Sequence, residues 1–204
     1  MFDILFVPSV RKGNGSGHLA RCFNLATELG DMACMYLPDD PGPECWAAMH
    51  LHLAYPVECA KVRIVTFISP GTTYRLIVLD GRQTSRSDLL RWSRYGAVAA
   101  IDEGGPARSM IPYLVDILPR FPERSRNFDG PNIASLGFLS LPSGRRSRTG
   151  SFDRILVSFG GEDHAGLGSR FLGKLLGDGL VEPRQVTVVS GPLASHDHDY
   201  PGVN

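Results

Sequence analysis

Short apolar runs alternate with longer segments of helical periodicity along most of this chain. Runs of this length, bounded by glycine, proline and acidic residues, predict buried β-strands. Strands that alternate with helices at this spacing pair in parallel, so the pattern predicts an α/β fold with a doubly wound, Rossmann-like parallel sheet. The predicted strands of this sheet are 4–7, 33–37, 62–68, 76–80, 97–101 and 114–118.

Three segments between these strands have the pattern of helices. The first begins at His18 and ends before Gly30, a residue suited to the C-terminal cap. The second is a short helix over 44–53, and the third starts at Thr84 or Ser85 and runs to about residue 95. Periodicity predicts that the first and third helices bury Leu19, Cys22, Leu25, Ala26 and Leu29, then Leu89, Leu90 and Trp92.

A polar segment that contains glycine, serine and arginine separates a second unit from this sheet. It covers 141–152 and has the composition of a linker, which predicts a first domain at 1–140. Beyond the linker, 153–204 repeats the order of strand, Gly-Gly turn and helix, as a second Rossmann-like domain would. We expect this second domain to be incomplete, because only two strands are predicted in it. The expected elements are a strand at 154–159, a helix at about 165–176 and a strand at 186–190.

Composition narrows the class of protein without identifying a ligand. The 204 residues are 43% hydrophobic, and 21 basic side chains balance 21 acidic ones. Zero net charge gives no support for binding to nucleic acid or to a membrane through bulk charge, and no apolar run approaches the length of a membrane span. The N-terminus lacks the basic start of a signal peptide, and the four cysteines show no Cys-x-x-Cys spacing. We therefore expect a cytoplasmic protein with reduced thiols.

The segment between the first strand and the first helix is the strongest candidate for a ligand site. Its glycines at 13, 15 and 17 allow a ligand to approach bare backbone, and a helix N-terminus favours anions or polar sugar groups. His18 lies in the first turn, where the positive end of the helix dipole disfavours imidazolium, so we expect a neutral ring that can accept a proton. Arg21 lies one turn further on, and either orients a carboxylate or phosphate group or forms a surface ion pair.

A dinucleotide site is the first alternative for this glycine-rich segment. The fingerprint Gly-x-Gly-x-x-Gly requires a third glycine, but counting from Gly13 places His18 there, and counting from Gly15 places Ala20 there. Asp39 and Asp40 follow the second strand, yet they precede Pro-Gly-Pro and are typical of a turn. The sequence therefore does not favour a dinucleotide ligand.

Acidic residues follow two later strands of the predicted sheet. Asp80 ends the strand at 76–80, and Asp102 with Glu103 follows the strand at 97–101. Open α/β sheets bind ligands beyond the carboxyl ends of their strands, so Asp80 is either a ligand contact or a turn residue before a glycine. A His-Asp-His-Asp run at 196–199 lies in a polar segment without periodicity, and we predict no metal site there.

Three motifs together resemble a GT-B-like family of nucleotide-sugar enzymes. Gly15-Ser-Gly17-His18-Leu-Ala-Arg21-Cys22 resembles the family's Gly-x-Gly-His-x-x-Arg signature. Ala100-Ile-Asp102-Glu103 stands where the family usually has Ile-Asp-Asp, and Ile155-Leu-Val-Ser158-Phe-Gly160-Gly161-Glu-Asp163 follows in the family's order. The family includes the UDP-sugar hydrolase of pseudaminic acid biosynthesis and spore-coat polysaccharide biosynthesis proteins. It is more distantly similar to the transferase that adds N-acetylglucosamine to lipid-linked peptidoglycan precursors.

The resemblance implies a UDP-sugar substrate and no cofactor or metal. It implies that His18 is the base, that Asp102 stands at the sugar side of the cleft, and that a second domain binds the nucleotide. With the glycine-rich segment and the strand-end acid, the expected substrate-binding residues are Gly15, Gly17, Arg21, Asp80 and Asp102. The expected nucleotide-binding residues are Ser158, Gly160 and Gly161. The glutamate at 103 departs from Ile-Asp-Asp and puts the family's substrate contact at that position in question.

Hydrolysis of a UDP-activated amino sugar with inversion is the function that these expectations favour. A glycosyltransferase of the same fold is the nearest alternative, with His18 activating a hydroxyl group instead of water. A non-catalytic protein that binds sugar nucleotides is an alternative from another class. The sequence shows no apolar or basic patch for a membrane, and it carries no feature that sets an oligomeric state.

Overall fold

A computed structural model describes the two predicted units over most of their regular elements. The residues described are 3–11, 14, 16–38, 61–117, 130, 132–135, 154–163, 165–191 and 202–203. The predicted helix at 44–53, the linker at 141–152 and the His-Asp-His-Asp run at 196–199 lie outside the described residues, as does Gly15.

The first unit contains a seven-stranded, entirely parallel sheet, which confirms the predicted α/β class with a Rossmann-like sheet. The strand order is β3-β2-β1-β4-β5-β6-β7. The strands are β1 Ile4–Pro8, β2 Ala33–Tyr36, β3 Arg63–Val65, β4 Leu76–Asp80, β5 Ala97–Ile101, β6 Tyr113–Asp116 and β7 Ile133–Ala134. Among the described residues of this unit, the α-helices are α1 Gly17–Leu29 and α2 Arg86–Trp92.

The order of the strands reverses between β1 and β4. From β1 the chain first builds outward through β2 and β3, and it then returns to place β4 against the other side of β1. Their register runs from Ile4 beside Leu76 to Pro8 beside Asp80, so both strands end at the same level. Open parallel sheets bind ligands in the crevice outside such a reversal. The segments that follow β1 and β4 therefore stand where a sheet of this kind binds a ligand.

The two helices cover opposite faces of this sheet. Along β1, Phe6 packs in a cluster with α1, whereas Leu5 packs in a second cluster with α2. The predicted helix faces are each wrong at one residue: Leu25 is 38% exposed and Leu90 is 56% exposed. Phe23 is buried instead, because the face of α1 that packs on the sheet is rotated about the helix axis relative to the face predicted from the apolar residues. The buried residues of α1 are His18, Leu19, Cys22, Phe23 and Ala26.

Several boundaries differ from the predicted ones for local reasons. β3 covers only 63–65 of the predicted 62–68, because among the described residues only these three pair with β2. The N-cap of α2 is Ser85, whose hydroxyl accepts a hydrogen bond from the Asp88 N–H at 3.0 Å. Gly30 follows the last residue of α1 with a φ of 54°, as a C-terminal glycine does. The two-residue strand β7 was not predicted, since so short a run has no detectable period.

The chain divides into two compact units. One contains Met1–Asn14 and His18–Leu141, and the other contains Gly15–Gly17 and Pro142–Asn204. The second unit has a parallel pair of strands, β8 Ile155–Ser158 and β9 Val186–Val189, and the helix α3 Leu167–Gly177. Leu172 of α3 is fully buried against Val157 and Val186 of these strands.

The turn after β5 is held by a buried glutamate. Glu103 has no exposed surface, and its carboxylate accepts hydrogen bonds from the Thr84 N–H, the Thr84 hydroxyl and the Gly105 N–H at 2.9, 2.5 and 2.5 Å. A Cβ atom at Gly105 would lie 2.7 Å from the Thr84 nitrogen, so glycine is required for this close approach. These contacts turn the side chain of Glu103 into the protein and join the β5 turn to the segment before α2.

A buried ion pair between Arg108 and Asp116 also stabilises the turn after β5. The guanidinium of Arg108 binds both carboxylate oxygens of Asp116, at 3.0 and 2.8 Å, and donates a further hydrogen bond to the Glu103 carbonyl at 2.6 Å. Because an isolated buried charge is costly, these three groups stabilise the fold only as a set.

We predict that Glu103→Ala lowers the free energy of unfolding by about 3 kcal/mol, because it leaves three buried donors without their acceptor. Urea denaturation monitored by circular dichroism measures the change. The control is Glu28→Ala on the exposed side of α1, where a shift within about 0.5 kcal/mol is expected. Equal effects of the two substitutions would contradict a structural role for Glu103.

Candidate functional site

The candidate site is built around the carboxylate of Asp80 at the end of β4. In β4, residues 78 and 80 face the same side of the sheet, and Val78 packs on the side that α1 covers. The Asp80 side chain has no exposed surface. One oxygen, Oδ1, accepts hydrogen bonds from His18 Nδ1 at 2.7 Å and from Arg21 Nη2 at 2.6 Å. The other, Oδ2, accepts from Arg21 Nε at 2.7 Å and contacts Cys22 Sγ at 3.7 Å. Side chains from the first turn and a half of α1 therefore contact both oxygens of this carboxylate.

The contact with Asp80 determines which nitrogen of the His18 ring carries the proton. An ionised carboxylate can only accept, so Nδ1 carries the proton that it donates to Asp80. In the neutral ring Nε2 is then the atom with a free electron pair, and it has no hydrogen-bond partner among the described residues. The side chain is 11% exposed, which leaves a narrow opening toward solvent. This arrangement can take up a proton at Nε2 while Asp80 stabilises the charge that forms.

Arg21 connects Asp80 to the end of the neighbouring strand. Besides its two bonds to Asp80, its Nη1 donates to Asp102 Oδ2 at 2.8 Å, and the side chain is 23% exposed. The sequence left open whether Arg21 orients a carboxylate or phosphate group or forms a surface ion pair. The structure places three of its N–H groups on two acidic side chains of the protein, so the carboxylates that Arg21 orients are those of Asp80 and Asp102.

Asp102 has a backbone conformation that few residues other than glycine adopt. Its φ is 52°, in the left-handed region, which aspartate tolerates better than most residues. Its Oδ1 accepts the Ile117 N–H at 2.7 Å, while Oδ2 accepts from Arg21. Asp80 and Asp102 therefore hold the guanidinium of Arg21 between them.

The charges of this cluster are mutually stabilised. Burial opposes ionisation of Asp80, but the hydrogen bonds from Arg21 and His18 outweigh it and hold the pKa of the Asp80 carboxyl below its ordinary value. Burial likewise opposes the charge on Arg21, yet its bonds to Asp80 and Asp102 raise the pKa of the guanidinium. Burial beside Asp80 raises the pKa of the Cys22 thiol well above its usual value, so this cysteine stays protonated. The cluster thus holds a carboxylate, a guanidinium and an unreactive thiol around one histidine.

The structure brings together four of the residues predicted from the sequence, and it changes the role of one. His18, Arg21, Asp80 and Asp102 form a continuous hydrogen-bonded group. Asp80 was expected to contact substrate, but both of its oxygens are buried and used within the protein, so it acts as a positioning residue. The contact of Cys22 with Asp80 was missed, because the sequence indicates only that Cys22 is apolar and buried. Gly17 begins α1 directly before His18.

The predicted nucleotide-binding residues lie in the second unit. Ser158 ends β8, and it lines a shallow depression with Gly160, Ser190 and Gly191. Gly160 has a φ of 79°, and Gly161 follows it. Asp163 occupies the start of α3, where its carboxylate accepts the N–H groups of 167 and 168, each at 2.8 Å. Those two backbone donors, which an anion at this helix end would use, are thus already bound by the protein.

Comparisons with known proteins give no identity for this chain. No protein-family model, curated protein or solved structure matches it. Within the residues that the structure describes, no helix is long and apolar enough to cross a membrane. Over the same residues, no group of three or more histidine, cysteine, aspartate or glutamate side chains is placed to hold a metal ion.

We predict that Asp80→Asn destabilises the protein by about 3 kcal/mol at pH 7, because it leaves Arg21 buried without one of its two counter-charges. The folded-state pKa of Asp80 lies below its unfolded value, so this stabilisation is complete above about pH 4 and is lost as the pH falls through the folded pKa. The difference in unfolding free energy between wild type and variant should therefore shrink as the pH falls from 6 toward 3.

Urea denaturation at several pH values measures this difference. The matched control is Asp31→Asn, at an exposed position directly after α1, for which a small difference at every pH is expected. A wild-type-to-Asp80→Asn difference that stays constant down to pH 3 would show that the Asp80 charge is not the stabilising feature.

Proposed function

We propose that this protein is a GT-B-like enzyme that hydrolyses a UDP-activated amino sugar with inversion at the anomeric carbon. The observation that carries the proposal is the His18–Asp80 pair: Nδ1 is bound to a buried carboxylate at 2.7 Å, and Nε2 is left to accept a proton. A histidine oriented by a carboxylate is a recurring form of general base. The pair stands at the reversal of strand order, where open parallel sheets bind ligands.

In the proposed reaction, His18 activates a water molecule. As the water oxygen bonds to the anomeric carbon, the bond from that carbon to the UDP oxygen breaks, and its electron pair leaves with UDP. The water proton moves to Nε2 of His18, and Asp80 stabilises the resulting imidazolium. The proton is then released to solvent, which returns the ring to its starting state. Attack from the face opposite to UDP gives the inverted sugar.

The remaining parts of the proposal rest on the resemblance of the sequence motifs. The Gly-x-Gly-His-x-x-Arg segment supports a sugar nucleotide as ligand, with Gly15 and Gly17 offering backbone near the base. Ser158, Gly160 and Gly161 are proposed to bind the diphosphate through backbone and hydroxyl groups. Arg21 holds the carboxylate of Asp80, and Asp102 in turn holds Arg21.

We predict that His18→Asn lowers turnover at least about 10²-fold, the usual scale for loss of a general base. The amide nitrogen of asparagine stands near the place of Nδ1 and can still donate to Asp80, so the substitution removes Nε2 with little change in stability. Release of UDP from a panel of UDP-linked amino sugars measures turnover, and NMR identifies the anomer first formed. Thermal unfolding of the variant is the control for folding.

The outcomes separate the candidate functions. Release of UDP in water alone with an inverted product supports the hydrolase, whereas release only when an acceptor is added identifies a glycosyltransferase. Tight binding of the sugar nucleotide without release identifies a binding protein. Near-normal turnover by His18→Asn would remove His18 from the role of base in either enzyme.

A further inference from the structure

A second concave surface lies at the carboxyl edge of the same sheet, on the face that α2 covers. Its inner wall is apolar and aromatic, formed by Val7, Leu79, Tyr36 and Trp92. These side chains belong to the cluster packed against α2, whereas His18 lies over the other face with α1. The volume available to a ligand is about 240 Å³, below the range of drug-sized sites, so the pocket suits only a small ring compound. The pocket is therefore separate from the space in front of His18, although both adjoin the end of β4.

The polar rim of this pocket contains a guanidinium that the protein holds in place without neutralising it. Arg91 lies over the ring of Trp92, at 5.1 Å from its centroid, and its Nη2 donates to the Tyr36 hydroxyl at 3.4 Å. The two rings themselves meet edge to face at 5.1 Å. No carboxylate of the described residues forms an ion pair with Arg91.

Two other arginines at this edge of the sheet are bound by carboxylates of the protein. Arg21 is bound to Asp80 and Asp102, and Arg108 is bound to Asp116. Arg11, also on the rim, has only an exposed contact with Asp88 at 3.5 Å. Of the two described carboxylates that line the pocket, Asp80 is bound by Arg21 and His18, and Asp88 contacts Arg11, so the charge of Arg91 is the one left for a ligand.

These features define the chemistry of the ligand. A guanidinium binds carboxylate or phosphate oxygens by charge-assisted hydrogen bonds, and the apolar wall behind it suits the carbon skeleton of a ring. The register of β1 and β4 brings Pro8 and Asp80 to the same level, and both residues line the pocket. The pocket thus lies at the reversal of strand order, where ligands of parallel sheets bind.

We propose that this pocket binds a small ring compound that carries one carboxylate or phosphate group, such as an acidic or phosphorylated monosaccharide, through Arg91 and with help from Arg11. Binding here involves none of the atoms of the proposed base. Binding is measured without turnover, so the proposal for this pocket and the proposed hydrolase activity are tested independently of each other.

Tryptophan fluorescence provides a direct test in the full chain. The sequence contains two tryptophans, so Trp46→Phe leaves Trp92, in the pocket wall, as the sole reporter. The probes are glucuronate and glucose 6-phosphate, which share a ring but differ in the anion, with glucose as the neutral ring and inorganic phosphate as the bare anion. We expect a saturable change in Trp92 emission with at least one anionic sugar, and at least about tenfold weaker binding of glucose and of phosphate.

Arg91→Gln should weaken that binding about tenfold or more, because it removes the charged donor and leaves the apolar wall in place. Arg94→Gln is the matched control, since Arg94 is exposed one turn further along and does not line the pocket. Thermal unfolding verifies that both variants are folded. No saturable change with either anionic sugar, equal binding of glucose or of phosphate, or equal effects of the two substitutions would overturn the proposal.

Discussion

A single buried carboxylate sets the arrangement at the carboxyl edge of the sheet. Asp80 ends a central strand with its side chain wholly removed from water, and an unpaired charge there would cost several kcal/mol. Two cationic or hydrogen-bonding side chains from α1 compensate it, at positions one turn apart. The requirement that both His18 and Arg21 reach the same carboxylate restricts how α1 can rotate over the sheet. The orientation of the candidate base is therefore a consequence of how the fold neutralises Asp80.

The acidic residues at the carboxyl ends of β4, β5 and β6 have different roles. Asp80 and Asp102 hold Arg21, whereas Glu103 binds the backbone and hydroxyl donors of Thr84 before α2 and one backbone donor of its own turn. Asp116 forms a buried pair with Arg108. The rule that ligands bind beyond strand ends thus indicates one edge of the sheet, but it does not tell which acidic side chains are bound by the protein itself. That depends on cations that come from other parts of the chain.

Most strands could be predicted because burial on both faces gives them uninterrupted apolar runs, as in Leu76-Ile-Val-Leu. The exact faces of the helices could not, since a small rotation of α1 about its axis exchanges Leu25 for Phe23 on the buried face beside Cys22. His18 and Arg21 could be singled out from their place after a glycine-rich segment. Their shared partner could not, because Asp80 lies 59 positions beyond Arg21 and only the pairing of β1 with β4 brings them together. The left-handed conformation of Asp102 likewise has no signal in a local pattern.

The place of β1 in the sheet also has a consequence for how the protein is made. β1 is synthesised before the other strands of this sheet, yet it lies between β2 and β4 and needs both to complete its hydrogen bonds. One of its edges stays unpaired until residues 76–80 have been synthesised, and unpaired apolar edges favour aggregation. Parallel pairing between such distant segments is also slow. Nascent chains that stall between β2 and β4 should therefore be the species most dependent on chaperones.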